Sequence, residues 1–475
     1  MRSLGAAALV ALSLAIYLFG LACCLWSYSL EGARRYLRSR DRQRRRDVPL
    51  RDADLPRVTI QLPICNEFYV VERLVDCCCL LDYPRRRFEI QVLDDSTDDT
   101  TGLIARKVVE YAAKGFQVTH LRRQGRAGFK AGNLQSGLPA ASGDYLAIFD
   151  ADCVPDPDFL RATLPFFEDG RVGVVQARIR RANRDLSLLT RAQDPLRVAP
   201  LGATHYQAGR FLNVFSGSAV VIRKACLVDA GGWAGDTLAE DEDLSLRAFL
   251  GGWRCVQLPQ ALAADEVPDT MAAFKRRLAR CNQGPAECWR KHLFRVLAAE
   301  ALTPIQKLSA LPALHCPWLS LSSIAIMAIA SVPLVLAEVR GPLLRIALVM
   351  PSIAVGVLLL AVAVHRQRAA LAATILLYVG TSIEGAGGAL RGLLGVKSAF
   401  ERTPKRGTGD ADGGHGPSYS AAVTPATFLE GVLALYFLLG LGLALQGGAP
   451  WLVPFHALCF VSCVAVFAVS VAERW

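Results

Sequence analysis

The sequence predicts an α/β domain with a parallel sheet, joined to a multi-span α-helical membrane domain, and three observations predict it. Strand-like runs alternate with helical ones from residue 57 to 166, and long, nearly uncharged apolar segments stand on either side of the polar region. The third is the stretch Phe149-Asp150-Ala151-Asp152, which closes the buried-strand run Tyr145-Leu146-Ala147-Ile148-Phe149 with two carboxylates one residue apart. In an open α/β sheet, ligands bind at the carboxyl ends of strands, and paired hard oxygens there suit a divalent cation that neutralises a diphosphate. A solvated turn with an aspartate cap is the plainer use of Asp-x-Asp, so the rest of the chain must decide.

With 475 residues, 52% of them hydrophobic, the chain has room for one sizeable soluble domain and a surplus of apolar sequence. That surplus is concentrated in residues 4–28, 313–338, 342–364, 425–446 and 449–471, each of spanning length, which marks an integral membrane protein. Residues 1–30 read as a retained transmembrane anchor, because the apolar part is long, Arg2 is its only leading charge and a basic block follows. The block lies in a juxtamembrane linker, residues 31–56, and holds Arg34, Arg35, Arg38, Arg40, Arg42, Arg44, Arg45 and Arg46, most of the formal charge of +11. The positive-inside rule then puts residues 34 to about 305 in the cytoplasm and the N-terminus outside. Directly beside an apolar segment, such a block contacts lipid headgroups, and no nucleic-acid partner is expected. The 14 cysteines include five in apolar segments and the run Cys77-Cys78-Cys79, with no C-x-x-C pair for zinc, so they read as small packing residues.

The elements of the soluble domain follow in order. Val58–Leu62, Phe88–Leu93, Phe116–Leu121 and Tyr145–Phe149 are strands, separated by helices near 68–81, 100–113 and 130–138, a βαβ series. Each strand ends on polar residues: Pro63-Ile64-Cys65-Asn66-Glu67, then Asp94-Asp95-Ser96-Thr97-Asp98-Asp99, then Arg122-Arg123, then Asp150 and Asp152. Four such ends on one edge favour a site over four separate caps. No G-x-G-x-x-G follows the first strand and no Walker loop is present, which disfavours a nicotinamide enzyme and a P-loop enzyme. A diphosphate would instead be held by metal at the aspartates and by Lys130, within the glycine-bearing run Arg126-Ala127-Gly128-Phe129-Lys130-Ala131-Gly132-Asn133. Farther on, Val172–Gln176 is a buried strand, Leu186–Gln207 has helical periodicity, and Phe215–Ile222 turns back into a strand. Glu240-Asp241-Glu242-Asp243 open a helix, where acids favour the macrodipole; one of them is also a candidate general base if the fold brings it beneath the metal site.

With these residues in view, the chain resembles the processive membrane family 2 glycosyltransferases, the cellulose and hyaluronan synthases, and most of all the mannan synthase-like branch and its bacterial relatives. The likeness runs over residues 58–290 through Gln61-Leu62-Pro63-Ile64-Cys65-Asn66-Glu67, Gln91-Val92-Leu93-Asp94-Asp95-Ser96-Thr97-Asp98, Gly128-Phe129-Lys130-Ala131-Gly132, Ile148-Phe149-Asp150-Ala151-Asp152, Val175-Gln176-Ala177-Arg178, Ala230-Gly231-Gly232-Trp233 and Glu240-Asp241-x-Asp243-Leu244. The resemblance implies a GT-A (Rossmann-like) catalytic domain over residues 57–267 that binds a nucleotide diphosphate sugar with Mg2+ or Mn2+. It implies that Asp95, or less readily Asp94, contacts the nucleotide; that Asp150 supports the diphosphate and shares the metal with Asp152; and that Asp241 is the general base of an inverting transfer. Pro63, Asn66, Glu67 and Lys130 join the donor site by the same carry-over, and Glu240, Arg280 and Gly217 the acceptor site. Phe400-Glu401-Arg402-Thr403-Pro404-Lys405, in a loop over 397–420, looks like the family's gating loop, with Thr403 and Lys405 reaching the diphosphate.

Two motifs depart from the pattern. Where relatives carry Q-x-x-R-W, the chain reads Arg277-Leu278-Ala279-Arg280-Cys281, and where they carry F-N-G-T it reads Phe215-Ser216-Gly217-Ser218. A thiol cannot replace an aromatic ring stacked on an acceptor sugar. Residues 268–312 read as interfacial amphipathic helices, with Phe274, Leu278, Trp289, Leu293 and Phe294 among many cations, and residues 313–475 as the transmembrane region. A simple span at 369–395 would send the loop outside, so this glycine-rich stretch is expected to be interfacial or re-entrant. The expected activity is transfer of a hexose to a growing β-linked polysaccharide, mannan- or glucan-like, in a bacterial inner membrane or a Golgi membrane with the catalytic domain cytoplasmic. Single-sugar transfer to a lipid acceptor is the second reading, and a non-catalytic assembly subunit the third. The expected partners are the donor, a glycan or lipid acceptor and membrane lipids.

Overall fold

A computed structural model describes residues 52–194, 212–304, 368–398, 425–446 and 450–473, together with residues 306, 307, 310, 355, 362 and 363. The N-terminal anchor, the basic linker up to residue 51, most of segments 313–338 and 342–364, and the loop carrying Thr403 and Lys405 lie outside the described residues.

Eight strands form one sheet in the order β3-β2-β1-β4-β7-β6-β8-β5. They are β1 Val58–Ile64, β2 Phe88–Asp94, β3 Val118–Arg122, β4 Tyr145–Ile148, β5 Val154–Pro155, β6 Val172–Arg181, β7 Val220–Arg223 and β8 Arg254–Asp265. The first four are parallel, as the alternating sequence pattern requires. Beyond them β7 runs antiparallel to both β4 and β6, so the sheet is mixed. The connecting helices are α1 Val71–Cys79, α2 Thr100–Ala113, α3 Phe129–Gly137, α4 Phe159–Thr163, α5 Leu188–Ala192 and α6 Lys224–Asp229. Alternate residues of a strand face opposite sides of the sheet: Ala147 and Phe149 join one apolar core with α1 and α2, whereas Leu146 and Ile148 join a second with Leu134 of α3 and Leu244.

Three expectations are corrected. Val220–Arg223 is shorter than the expected strand from Phe215, because Gly217 and Ala219 take positive φ (70° and 51°) and break the extended run. Leu186–Gln207 contains one short helix, α5, with residues 195–211 outside the described set. Strand β8, not foreseen, pairs in parallel with β6 through two register shifts and ends at Asp265, beside the cleft.

Two more helices complete the catalytic half: α7 Glu240–Leu250 and the 28-residue α8 Met271–Ala298. Helix α8 lies under α10 (Ser382–Leu394), which follows α9 (Arg368–Gly380). A Cβ on Gly388 would collide with the Ala279 carbonyl, and one on Gly392 with the Gln283 carbonyl, so glycine is what lets the two helices touch. Part of the apolar face of α8 is thus packed on protein, Phe274 against Tyr378 with ring centroids 5.8 Å apart, while Phe294 stays exposed. Lys275 of α8 pairs with Glu430 at 2.5 Å, joining it to α11 (Pro425–Gln446). Among the described residues, two segments, Ala426–Gln446 and Pro450–Ala472 with α12 (Val453–Ala472), are long and apolar enough to cross a membrane. Helices α9 and α10 meet that test only as a pair bent by 49°, a broken span or a re-entrant loop.

Candidate active site

The carboxyl ends of β1, β2 and β4 open onto one cleft of about 430 Å³. Asn66 (φ 56°) does not line it; its backbone N–H donates to Ser96 Oγ at 2.9 Å and its Oδ1 accepts from the Thr97 N–H at 2.8 Å, tying the β1 loop to the β2 loop. Pro63 and Glu67, on either side, do line the cleft.

The two neighbouring aspartates at the end of β2 have different environments. Asp94 is buried away from the cleft, accepts from the Ser96 N–H (2.8 Å) and Thr101 Oγ1 (2.9 Å), and lies 2.9 Å from His120 Nε2. Burial penalises its charge, but hydrogen bonds from His120, Ser96 and Thr101 outweigh that and hold its carboxyl down at about 2. Asp95 faces the cleft and accepts two bonds from Arg123, at 2.8 and 2.7 Å. The same guanidinium donates to the carbonyls of Ala127 (2.6 Å) and Phe129 (2.8 Å), so it fixes Asp95 relative to the start of α3.

Lys130 sits at the centre of the cleft. Its Nζ lies 2.6 Å from Asp150 Oδ1 and 3.2 Å from Glu240 Oε1, and donates to the Gly217 carbonyl at 3.0 Å. Gly217 has φ +70°, and a Cβ there would stand 3.1 Å from both Lys130 Nζ and Asp241 Oδ2. The strand-end loops that deliver these groups are held from behind. The Asp150 N–H donates to Ser218 Oγ at 2.9 Å, and Gln176 donates to the Ser218 carbonyl at 2.9 Å while accepting the Ser216 N–H at 2.8 Å. Asp152, also in the cleft, accepts from the Glu266 N–H at 3.2 Å, so the unforeseen β8 positions it.

This arrangement sets the proton affinities. Burial pushes Asp241 up to about 7, with Glu240 adding to the effect and Lys130 opposing it. Burial also raises Asp150, against the pull of Lys130, and Lys130 itself is raised because its acidic neighbours outweigh burial. Asp243 is different: it is fully buried, 2.7 Å from His292 Nε2 and from Lys291 Nζ, and bonded by Arg247 at 2.8 Å. Burial acts against its charge, yet these partners pull its carboxyl far below the usual range. It ties α7 to α8 and cannot serve as the base, which removes it as a substitute for Asp241.

Arg277, Arg280, Cys281 and Pro285 of α8 line the same cleft, so the departing motif does reach the site. No aromatic side chain is among the described residues lining it. Sequence reasoning missed Arg123 as the partner of Asp95, Gln176 as the brace of the 216–219 loop, and Glu266; only the first two stood in motifs that could have pointed to them.

Asp150 and Asp152 present hard oxygens to the same cleft, a donor set that fits Mg2+ or Mn2+. Among the described residues no three His, Cys, Asp or Glu side chains form a metal cluster, so the remaining ligands would come from a bound phosphate and water.

Two family models match the chain, one for Glycosyl transferase family 2 over residues 59–227 and one for Glycosyl transferase family group 2 over residues 145–365. Glucomannan 4-beta-mannosyltransferase 1 of Oryza sativa subsp. japonica is 37% identical over 286 residues, which take in 57% of this chain and 55% of that protein, about half of its length. Among solved structures, the mannosyltransferase PcManGT from Pyrobaculum calidifontis, in complex with GDP-Man and Mn2+, superposes with a TM-score of 0.54 at 21% identity, covering 82% of this chain and 100% of that one. The shared architecture is the GT-A fold, and this chain carries apolar C-terminal helices beside it.

Proposed function

We propose, for a chain whose residues 59–365 carry a family 2 glycosyltransferase domain of the mannan synthase-like kind, that it transfers mannose from GDP-mannose, with inversion, to a hydroxyl of a β-linked glycan at a membrane. The observation that carries this reading is the cluster in which Lys130 gathers Asp150, Glu240 and the Gly217 carbonyl, with Asp241 beside it. One cation and two cleft-facing strand-end carboxylates form a diphosphate site, and a buried carboxyl poised near neutral pH forms a base.

In this reading Asp95 holds the nucleotide, with Pro63 and Glu67 beside it, while Asn66 and Asp94 shape the loops behind. Asp150 and Asp152 would hold Mg2+ or Mn2+, which when bound supplies positive charge to the diphosphate leaving group. Lys130 shares that task, and Thr403 and Lys405 close over the donor. Asp241 takes the proton from the acceptor hydroxyl as that oxygen bonds the anomeric carbon and the bond to the diphosphate breaks. A single displacement on the face opposite the leaving group converts an α-linked donor into a β-linked product. Glu240, Gly217 and Arg280 line the acceptor side. The two spanning-length segments and the bent pair α9–α10 anchor the enzyme and hold α8 over the cleft. One observation favours a second reading, single-sugar transfer to a lipid: Cys281 stands where a stacking ring is expected.

The test is to incubate the detergent-purified full-length protein with labelled GDP-mannose and Mn2+, beside uridine diphosphate sugars, and to size the product. A large, β-mannanase-sensitive product is expected, and an organic-extractable one would transfer the reading to glycolipid synthesis. Absence of nucleotide release from every donor would overturn the enzyme reading and leave an assembly subunit.

A further inference from the structure

Of the four consecutive acids that open α7, three have structural partners that account for them. Glu240 pairs with Lys130, Asp241 Oδ1 accepts the Glu242 N–H at 2.8 Å, and Asp243 is surrounded by His292, Lys291 and Arg247. Glu242 stands apart: it is 6% exposed, it lines the cleft, and its Oε1 is buried with no hydrogen-bond partner among the described residues. Leaving such an oxygen unpaired is destabilising, so its retention at the wall of a substrate cleft calls for a ligand that completes it.

The rest of the lining points to the ligand. On the helix side the same cleft is lined by Cys281 and Pro285, with Arg277 and Arg280 of the same helix, and by no aromatic ring among the described residues. A sugar held here gains no ring stacking and must be held by its hydroxyls. We propose that Glu242 is the acceptor-positioning residue of this enzyme, holding by hydrogen bond the hydroxyl next to the one that Asp241 deprotonates, so that the site selects a pyranoside acceptor with vicinal hydroxyls. Burial and the adjacent Asp241 and Asp243 push the Glu242 carboxyl well above the usual carboxylate range. A carboxyl that carries its proton both donates and accepts, which matches a hydroxyl's own capacity. A carboxylate there would face two neighbouring acids across its own helix, with Cys288 the titratable group it meets on α8.

This inference rests on the glycosyltransferase reading above, and it deepens it by naming the residue that holds the glycan acceptor. The test uses the full-length protein with GDP-mannose, Mn2+ and β-1,4-mannotetraose as the acceptor probe, comparing wild type with Glu242→Ala and Glu242→Gln. Loss of one buried hydrogen bond should raise the mannotetraose KM of Glu242→Ala about tenfold, with the donor KM moving less than about threefold. Glu242→Gln, which keeps a donor and an acceptor, should remain within about threefold of wild type for both substrates. Binding is read independently by alkylation of the exposed Cys281 with iodoacetamide, followed by peptide mass spectrometry. Mannotetraose should protect Cys281 in wild type and Glu242→Gln and fail to do so in Glu242→Ala. An unchanged acceptor KM in Glu242→Ala would overturn the proposal, as would parallel losses in donor and acceptor KM, which mark a role in folding only. Nucleotide release by wild type without transfer to mannotetraose would overturn the sugar acceptor alone. No nucleotide release by wild type would overturn the underlying reading as well.

Discussion

On the sheet side of the cleft Asp95, Asp150 and Asp152 each have a bonded partner, whereas on the helix side Glu242 keeps an oxygen with none among the described residues and Cys281 stands where an aromatic ring is expected. The sheet side is therefore organised before any ligand arrives: Arg123 fixes Asp95, Gln176 and Ser218 fix the loop around Gly217 and Asp150, and β8 fixes Asp152. Charges held in this way need no rearrangement when a diphosphate binds and leaves. The helix side carries unused polar capacity, which suits a wall that meets a hydroxylated acceptor. On the proposed function, the contrast separates donor chemistry, built into strand ends, from acceptor choice, set by α7 and α8.

The sharpest way to break the contrast is at Asp241, which belongs to both sides. Asp241→Asn should lower transfer about 10²–10⁴-fold, the range lost with a general base, while GDP-mannose binding measured by calorimetry persists. The same change should make the protein more stable at pH 8. The folded-state proton affinity of Asp241 lies near 7, above its unfolded value, so its ionisation opposes folding increasingly as pH rises from about 4 to about 7. An unchanged or lower melting temperature for Asp241→Asn at pH 8 would contradict this.

Two residues on, the sign reverses. Asp243→Ala leaves His292 and Arg247 without their acidic partner, while Lys291 keeps Asp236 at 2.7 Å, and should cost about 3–5 kcal/mol, read as a fall in melting temperature together with loss of transfer from every donor. The acid limb of the pH–rate profile follows with a smaller effect. Activity should rise as pH passes about 7, and Lys130→Met, by removing the cation that holds Asp241 down, should move that limb to higher pH. A limb that stays in place would mean that another group titrates. The smallest effect is expected at Gly217→Ala, where φ +70° and contacts 3.1 Å from Lys130 and Asp241 disfavour a side chain. The strain should cost about 1–2 kcal/mol, read as a lower melting temperature, and an unchanged melting temperature would contradict it.

Much of the sheet side was legible in the sequence. Four buried runs with polar ends specify parallel strands whose tips converge, and Glu67, Asp95, Asp150, Asp152, Glu240 and Asp241, which the motifs mark, line the cleft beside Glu242, Asp265 and Glu266, which they do not. Residue types alone did not separate Asp94 from Asp95 or Asp241 from Asp243, which the resemblance ranked in favour of Asp95 and Asp241, because each pair is separated by what lies across the fold. His120 claims Asp94 and Arg123 claims Asp95, while His292, 49 residues away, claims Asp243. Strand β8 was missed although Val256, Leu258 and Leu262 keep an even spacing after Gly251-Gly252; without a polar motif it did not stand out. The glycines of 382–394 were legible as unusual, and their reason, the close approach of α10 to α8, needed the packing partner.

The most direct test of the sheet side is calorimetric titration of GDP-mannose into the full-length detergent-solubilised protein, with Mn2+ and then with the metal chelated, in wild type and Asp152→Asn. Binding that requires Mn2+ and is lost in Asp152→Asn is the expected result. Equal affinity with and without metal, or in the variant, would contradict a donor site built from the carboxylates at the end of β4.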